Sequence, residues 1–368
     1  MRELDSAAAL CRHGGQLNHA VVQGLDLRGL EVDWGAVQCE GAVFLGCRFP
    51  DAVRLEDLIE RGATIFPSFP TLPYDPYRPR LYSRAELMAG WTPGEDRSAD
   101  RRIYEHFNAM GRANPGVLEA LAQRLHDHAV DDALQDLLEG RVDGAGKKKV
   151  VAVMGGHGTP RTDPYFRKVA RIAQRLTREG YFVTTGGGPG IMEAANMGAY
   201  LADVKESELD EALRILARAP VYTDAGYMQC AQEVLDRFSH GHASLAVPTW
   251  FYGHEPSNLF SVHIAKYFSN SLREDGLLAV AHHGVIFAPG SAGTTQEVFQ
   301  DATQNHYETF GVVSPMVFLG TEHFGPRTGV FDCLQRQAEG KAYADYLFTT
   351  DEEEEVVEFV QGHPPHSP

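Results

Sequence analysis

Nowhere in its 368 residues does the chain hold the run of about eighteen apolar residues that a membrane-crossing helix needs. The N-terminal stretch from Met1 to His13 carries charge throughout and has no sustained apolar centre. The expectation is therefore a protein that is neither exported nor membrane-spanning, working in the cytoplasm. Cysteine is sparse. Cys11, Cys39, Cys47, Cys230 and Cys333 are scattered, odd in number and never spaced Cys-x-x-Cys. This excludes a disulfide framework or a zinc-thiolate site and fits a reducing compartment. Positive charge is also short. With 33 Lys and Arg against 50 Asp and Glu, the net charge is −17, which argues against nucleic acid or an anionic membrane as partner. A small anion is not excluded, because a local loop field outweighs a distant net charge screened over roughly 10 Å. No metal and no resident cofactor are expected.

What is present is a mixed, soluble composition, 43% hydrophobic and 23% charged, long enough for two or three domains. The most informative stretch begins at Gly284: an apolar run, Val285 to Ala288, breaks into Pro289-Gly-Ser-Ala-Gly-Thr-Thr-Gln-Glu297. Gly290 and Gly293 lack Cβ atoms and let backbone N–H groups approach a ligand closely. Thr294 and Thr295 stand where a helix would begin, with unpaired N–H groups and the positive end of the dipole facing outward. That arrangement is an anion cradle. Glu297 follows within the first turn, either as chemistry or as an ordinary helix N-terminal acid.

The rest of the chain sorts into four parts. Between residues 25 and 49, Leu27, Val32, Val37, Ala42 and Cys47 recur every five residues, with Trp34, Cys39, Phe44 and Phe49 as a second series. This period fits neither helix nor strand and resembles the pentapeptide repeat, a square right-handed β-helix. Residues 1–66 are accordingly expected to be a small β module that packs on something else. Residues 67–146 read as a linker and a helical segment: five prolines fall in 67–80, and a three- and four-residue apolar spacing runs from about Ser98 to Leu138. His126 and His128 in that segment would face different sides of a helix. Residues 147–350 alternate apolar strands with helices. Strands are expected at 149–154, Tyr181–Thr185, Ser244–Thr249, Val285–Ala288 and Pro315–Leu319. Helices are expected at Pro164–Glu179, Ile191–Leu201, Lys205–Arg218, Asn258–Leu272 and Thr295–His306. That alternation predicts an α/β fold, a Rossmann-like parallel sheet with helices on both faces. Residues 351–368 read as an acidic tail.

Three glycine clusters follow three of these strands: Gly155-Gly156, Gly186-Gly187-Gly188-Pro189-Gly190 and the 290–293 loop. A ligand at the carboxyl ends of a parallel sheet is the natural expectation. The dinucleotide pattern Gly-x-Gly-x-x-Gly fails, since Arg161 and Glu193 occupy the final position after the two Gly-x-Gly pairs. The Walker pattern fails because Gly146-Lys147 precedes its strand, and the nucleophile elbow fails because glycine directly precedes Ser291. A small phosphate-bearing ligand such as a mononucleotide remains.

The paired elements Gly186-Gly-Gly-Pro-Gly-Ile-Met-Glu-Ala-Ala-Asn and Pro289-Gly-Ser-Ala-Gly-Thr-Thr-Gln-Glu resemble the two hallmark motifs of the Lonely Guy (LOG) family, often labelled putative lysine decarboxylases. The similarity spans about Val150 to Gly320. The resemblance implies a nucleoside 5′-monophosphate phosphoribohydrolase that releases free base and ribose 5-phosphate. It implies that Gly290, Ser291, Ala292, Gly293, Thr294 and Thr295 hold the 5′-phosphate, and that Glu297 is the essential glutamate. Arg273, in Leu272-Arg273-Glu274-Asp275, is the nearest match to the family's catalytic arginine, offset by about one residue and without the neighbouring lysine. Its other reading is an arginine ending the helix from Asn258. Gly186, Gly187, Gly188, Gly190 and Gly156 complete the nucleotide loops, and Met192 is placed to touch the base or to join the core. Ser291 departs from the family, which has glycine there. Asp301 and Gln304 share a helix face with Glu297 and read as exposed polar positions; His157 is a possible ligand contact, while His282 and His283 read as structural. By resemblance the protein forms a homodimer or a multiple of dimers. The alternative is a carrier of a nucleotide or phosphorylated cofactor, as in family relatives that carry the molybdenum cofactor. A third reading makes the repeat region an interaction module.

Overall fold

Apolar residues of the first 66 positions are buried beneath a stack of short parallel strands. The computed structural model describes residues 2–4 and 6–366 and divides into two units. One contains the chain up to Leu81 with Asn108–Gln135, the other Tyr82–Phe107 and the chain from Asp136 onward. In the first unit, β1 (Arg2–Leu4), β2 (Ala20–Gln23), β3 (Val43–Leu45) and β4 (Thr64–Phe66) form a four-stranded parallel sheet in that order. Val21 lies beside Val43 and Val43 beside Thr64, so the chain returns to the same column after about 22 residues. Leu17, Val22, Leu27, Val37, Ala42 and Cys47 are all buried in one core with Phe44 and Trp34. The proline-rich segment is packed against this sheet: Gln23 Nε2 donates to Tyr77 O at 3.0 Å and to Arg78 O at 3.2 Å. The helical pattern from Ser98 is two helices, Ala99–Ala109 and Val117–Leu138, parted where Gly111 turns with φ of +100° ahead of Pro115.

The second unit opens on a two-stranded antiparallel hairpin, β5 (Trp91–Thr92) and β6 (Glu95–Asp96). Its main sheet comprises β7 (Lys149–Met154), β8 (Tyr181–Thr185), β9 (Leu245–Ala246), β10 (His263–Ile264), β11 (Val285–Phe287), β12 (Met316–Leu319) and β13 (Leu347–Thr350). All pairings are parallel, in the order β10-β9-β8-β7-β11-β12-β13. Parallel strands are buried on both faces and read as continuous apolar runs, which is why these strands were visible in the sequence. Alternate residues serve alternate faces. Val151 and Val153 join the core formed with Phe166 and Val169 of the helix Pro164–Arg178 and with the helix Ile191–Tyr200. Phe287 and Phe318 stack at 5.2 Å, and Phe318 meets Phe324 and Phe331 edge-on at 5.1 and 5.3 Å.

Three expectations are corrected. The stretch 258–268 is not helical; it contains β10, and the helix begins afterwards as Asn270–Ala279 behind the N-cap Ser269. The acidic turn of helix read after Asp351 is longer than expected, a helix Glu353–Gly362 that places Val356, Val357 and Val360 in the main core. The helix Tyr227–Arg237, unread in the sequence, follows Gly226 in the left-handed region at φ +94°.

Inside this unit, Glu193 of the triple-glycine motif is buried against Arg161. Nε of Arg161 donates to Glu193 Oε2 at 2.8 Å, a second guanidinium nitrogen bonds Oε1, and Tyr227 OH donates to Oε2 at 2.6 Å. The guanidinium also covers the Tyr227 ring at 3.4 Å. A buried pair of this kind costs about 3–5 kcal/mol when one partner is removed, because the other charge stays buried and unpaired. Glu193→Gln is therefore expected to lower unfolding stability by about that amount in urea titration; a loss under about 1 kcal/mol would show that Arg161 is satisfied without it.

Candidate functional site

The order of the main sheet runs outward from β7 through β8 in one direction and from β11 in the other. Loops leaving the carboxyl ends of β7 and β11 therefore part from each other and open a crevice at the switch point, where α/β sheets bind ligands. The loops are joined underneath by backbone. Gly156 N–H donates to Pro289 O at 3.1 Å and Ile191 N–H to Gly156 O at 3.2 Å. A Cβ on Gly190, whose φ is +68°, would stand 2.4 Å from Gly156 O; one on Gly290 would stand 2.1 Å from Thr294 Oγ1 and 3.0 Å from Gly156 N. These two glycines build the junction and do not line the opening.

Above the junction lies a cleft of about 620 Å³. It brings together Gly156, Gly186, Gly187, Met192, Arg273, Ser291, Ala292, Gly293, Thr294 and Glu297. Gly188, Gly190, Gly290 and Thr295 stand outside its lining, and the Thr295 hydroxyl is turned to Ser291 O at 3.2 Å. The helix Ala292–Tyr307 starts three residues earlier than expected, with Ser291 as N-cap, so its first N–H groups face the cleft edge directly. Ser291 has φ −115° and makes no side-chain capping bond. Its replacement of a glycine thus carries no backbone strain, and its hydroxyl is unused. A Cβ on Gly293 would meet nothing within 4 Å.

The charged centre consists of three side chains. Arg273 lies in the first turn of the helix Asn270–Ala279, at its beginning and not at the end of an earlier helix. Its Nη1 is 3.2 Å from Glu274 Oε2 and 3.6 Å from Glu297 Oε1. Those are ion-pair separations without hydrogen-bond geometry: Arg273 Nε and Nη1 and Glu274 Oε2 are buried and have no hydrogen-bond partner. Burial pushes the Glu297 carboxyl up to about 7, with Glu274 adding to the rise and Arg273 opposing it. A carboxyl titrating near neutrality beside open guanidinium donors is suited to exchange protons and to meet an anion. One helical turn behind it, Asp301 is only 3% exposed and its Oδ2 has no partner. The expectation of an exposed polar position there is overturned. Gln304 is half-buried, His157 lines the cleft rim with its ring 6.2 Å from Tyr222, and His282 and His283 lie outside the cleft lining.

The opposite wall comes from a segment that the sequence did not flag, Thr249 to Asn258, together with Lys266. It is anchored by Asp100, fully buried in the helix Ala99–Ala109. Asp100 accepts from Trp250 Nε1 at 2.7 Å, Ser257 Oγ at 2.9 Å and Lys266 Nζ at 2.9 Å. Burial alone would raise its carboxyl, but the Lys266 charge and these donors hold it below the usual carboxylate range. His254 contacts Asp96 at 2.9 Å and stacks on Tyr104 at 5.5 Å. No periodicity marks such a hub in sequence, because its members are far apart along the chain. Among the described residues no three His, Cys, Asp or Glu side chains are grouped to hold a metal ion, and no helix is long and apolar enough to cross a membrane.

A parallel α/β sheet with a cleft at its switch point, floored by glycine loops and edged by a helix N-terminus, is the class that this fold and site define. Residues 148–204, spanning β7 to the end of the triple-glycine motif's helix, match the family model described as SLOG cluster4 family. The structure is similar to the molybdenum cofactor binding protein from the phototrophic bacterium Rippkaea orientalis, at 14% identity and a TM-score of 0.37, covering 59% of this chain and 97% of that one. It is similar as well to the molybdenum cofactor carrier protein of Chlamydomonas reinhardtii, at 13% identity and a TM-score of 0.36, covering 59% of this chain and 98% of that one. No curated protein sequence matches.

Burial pushes Asp301 up to about 8, so the folded protein keeps a proton that the unfolded chain gives up near its ordinary value. Stability from this group is present at low pH and lost as pH rises from about 4 to about 8. Asp301→Asn does not titrate. Its thermal midpoint is expected to gain on that of the native chain between pH 5 and pH 8 by several degrees, the equivalent of about 1 kcal/mol or more. Parallel midpoint curves across that range would place Asp301 in a partnered or solvated state instead.

Proposed function

We propose that the protein hydrolyses the N-glycosidic bond of nucleoside 5′-monophosphates, releasing free base and ribose 5-phosphate. The observation that carries this reading is Glu297: a half-buried carboxyl lining the cleft beside the helix N-terminus, 3.6 Å from a guanidinium whose Nε and Nη1 have no hydrogen-bond partner. The 5′-phosphate would sit against the first turn of the helix Ala292–Tyr307, taking N–H groups from the 291–294 stretch and the Ser291 hydroxyl. Several charge-assisted bonds to one phosphate, each worth about 1.5–3 kcal/mol, fix the ribose relative to Glu297.

Cleavage of the C1′–N bond builds positive charge on the ribosyl ring, which an ionised Glu297 stabilises. The same carboxylate orients a water and takes its proton as the water oxygen bonds to C1′. The departing base carries away the bond's electron pair and takes up one proton from solvent, balancing the one that Glu297 removes from the water and later returns to solvent. Arg273 positions Glu297 and shares its donors with the ligand; it is a positioning residue unless it touches the phosphate itself.

A panel of nucleoside monophosphates incubated with the protein and resolved by chromatography is expected to show free base and ribose 5-phosphate. Glu297→Gln is expected to cut base release by at least about a thousandfold while monophosphates still bind. Because Glu297 works ionised and titrates near 7, kcat/KM should rise with pH through an apparent pKa near 7. Binding without release of any base by the native chain would sink the hydrolase and favour a nucleotide or phosphorylated-cofactor carrier.

For the first unit, the burial of Leu17, Val22, Leu27, Val37, Ala42 and Cys47 at five-residue steps is what supports a short pentapeptide-repeat-type coil. We assign it an assembly role in a cytoplasmic homodimer or multiple of dimers. The five cysteines, all unpaired, fit that compartment. Removal of residues 1–66 should change the number of chains per particle measured by light scattering; an unchanged number would remove this role.

A further inference from the structure

Further along the same cleft, Glu255 is a carboxylate without a hydrogen bond or ion pair among the described residues. This inference rests on the monophosphate reading above. Positions along the cleft follow from neighbouring atoms on one loop. Glu297 lies 3.6 Å from Arg273. A Cβ on Gly186 would stand 3.9 Å from Arg273 Nη1 and 2.9 Å from Met192 Sδ. One on Gly188, two residues further, would stand 2.7 Å from Met192 Cε and 2.8 Å from Glu255 Oε2. The sequence of groups is therefore cradle, Glu297, Arg273, Met192, Glu255. With phosphate in the cradle and C1′ at Glu297, the base lies along the Gly186–Gly188 loop beside the Met192 thioether, its distal edge toward Glu255.

Met192 is held there: Gly188 N–H contacts its sulfur at 3.4 Å. The wall carrying Glu255 is held as well. Trp250 and Ser257, on either side of it in sequence, both donate to the buried Asp100. Glu255 itself makes no hydrogen bond or ion pair among the described residues and lines the cleft. A carboxylate offers only acceptors. It matches a base edge carrying two adjacent N–H donors and repels one with a ring nitrogen lone pair at that place. Guanine presents N1–H and the 2-amino group side by side; hypoxanthine presents N1–H alone; adenine presents the N1 lone pair beside one amino group. We propose that Glu255 is a specificity-determining residue that selects guanine-type monophosphates over adenine-type ones.

The test measures binding and turnover separately. Equilibrium dissociation constants for GMP, IMP and AMP are measured on Glu297→Gln protein and on the Glu297→Gln, Glu255→Gln double variant, and base release is measured on the native chain and on Glu255→Gln. GMP is expected to bind about ten- to a hundredfold more tightly than AMP, with IMP between, and Glu255→Gln should erase most of that ratio. Retained AMP binding and an unchanged thermal midpoint would show that the variant is folded. Equal affinity for GMP and AMP, or a ratio unchanged by Glu255→Gln, overturns the proposal. So does equal weakening of all three ligands, which would put Glu255 on the ribose. If the native chain releases no base, the hydrolase reading fails while the binding ratio still decides the role of Glu255.

Discussion

The cleft exists because the loops after β7, β8 and β11 touch backbone to backbone. At Gly190 and Gly290 no side chain could be tolerated, since a methyl group would overlap the main chain of the β7 loop or the Thr294 side chain. That contact sets the height at which the helix Ala292–Tyr307 begins, and so where its open N–H groups stand. The middle loop is fixed from below by Asn196, which accepts from Thr185 Oγ1 at 2.6 Å and Asn258 Nδ2 at 2.9 Å and donates to Ser244 Oγ at 2.9 Å. One amide thereby ties β8, the strand-end loop and the far wall together. Rigid elements of this kind are what hold binding groups to the tolerances a site requires.

Most of the nearby positive charge is already paired. Lys266, in the cleft wall, is taken up by Asp100, and Arg161, buried outside the cleft lining, by Glu193 and Tyr227. Arg273 is different, because its two neighbouring carboxylates lie at ion-pair range without satisfying its N–H groups. A chain of net charge −17 can hold an anion here because these local donors act over a few ångströms, whereas the distant surface charge is screened within roughly 10 Å.

The strands and glycine loops were legible because burial on both faces leaves unbroken apolar runs that end abruptly in glycine. The 258–268 stretch misled for a related reason. Leu259, Phe260, Ile264 and Phe268 are spaced as a helix would space them, yet all four are buried, and full burial removes the polar face that distinguishes a helix from an irregular buried strand. The true start follows Ser269, a residue type favoured at that position although its side chain makes no capping bond here, and the apolar pattern overrode it. Reading Arg273 as a helix end followed from that one error. Ser291 was legible in identity but not in consequence: loss of glycine matters only where φ is positive, and at −115° it is not. The Asp100 hub was invisible, since its partners Trp250, Ser257 and Lys266 lie some 150 residues away in sequence.

Two carboxyls on one helix, Glu297 and Asp301, share the same perturbation by burial, but only Glu297 lines the cleft. Asp301 faces no cation, so its protonated form is its resting answer to burial. Glu297 has a guanidinium at 3.6 Å that is itself incompletely bonded, so the pair is held in an arrangement satisfying neither member. Buried polar atoms without partners are destabilising, so this arrangement costs folding free energy. A group that offered an acceptor to Arg273 or a donor to Glu297 would recover that cost as affinity, which is why the pair, and not Asp301, marks the cleft as a place for a polar ligand.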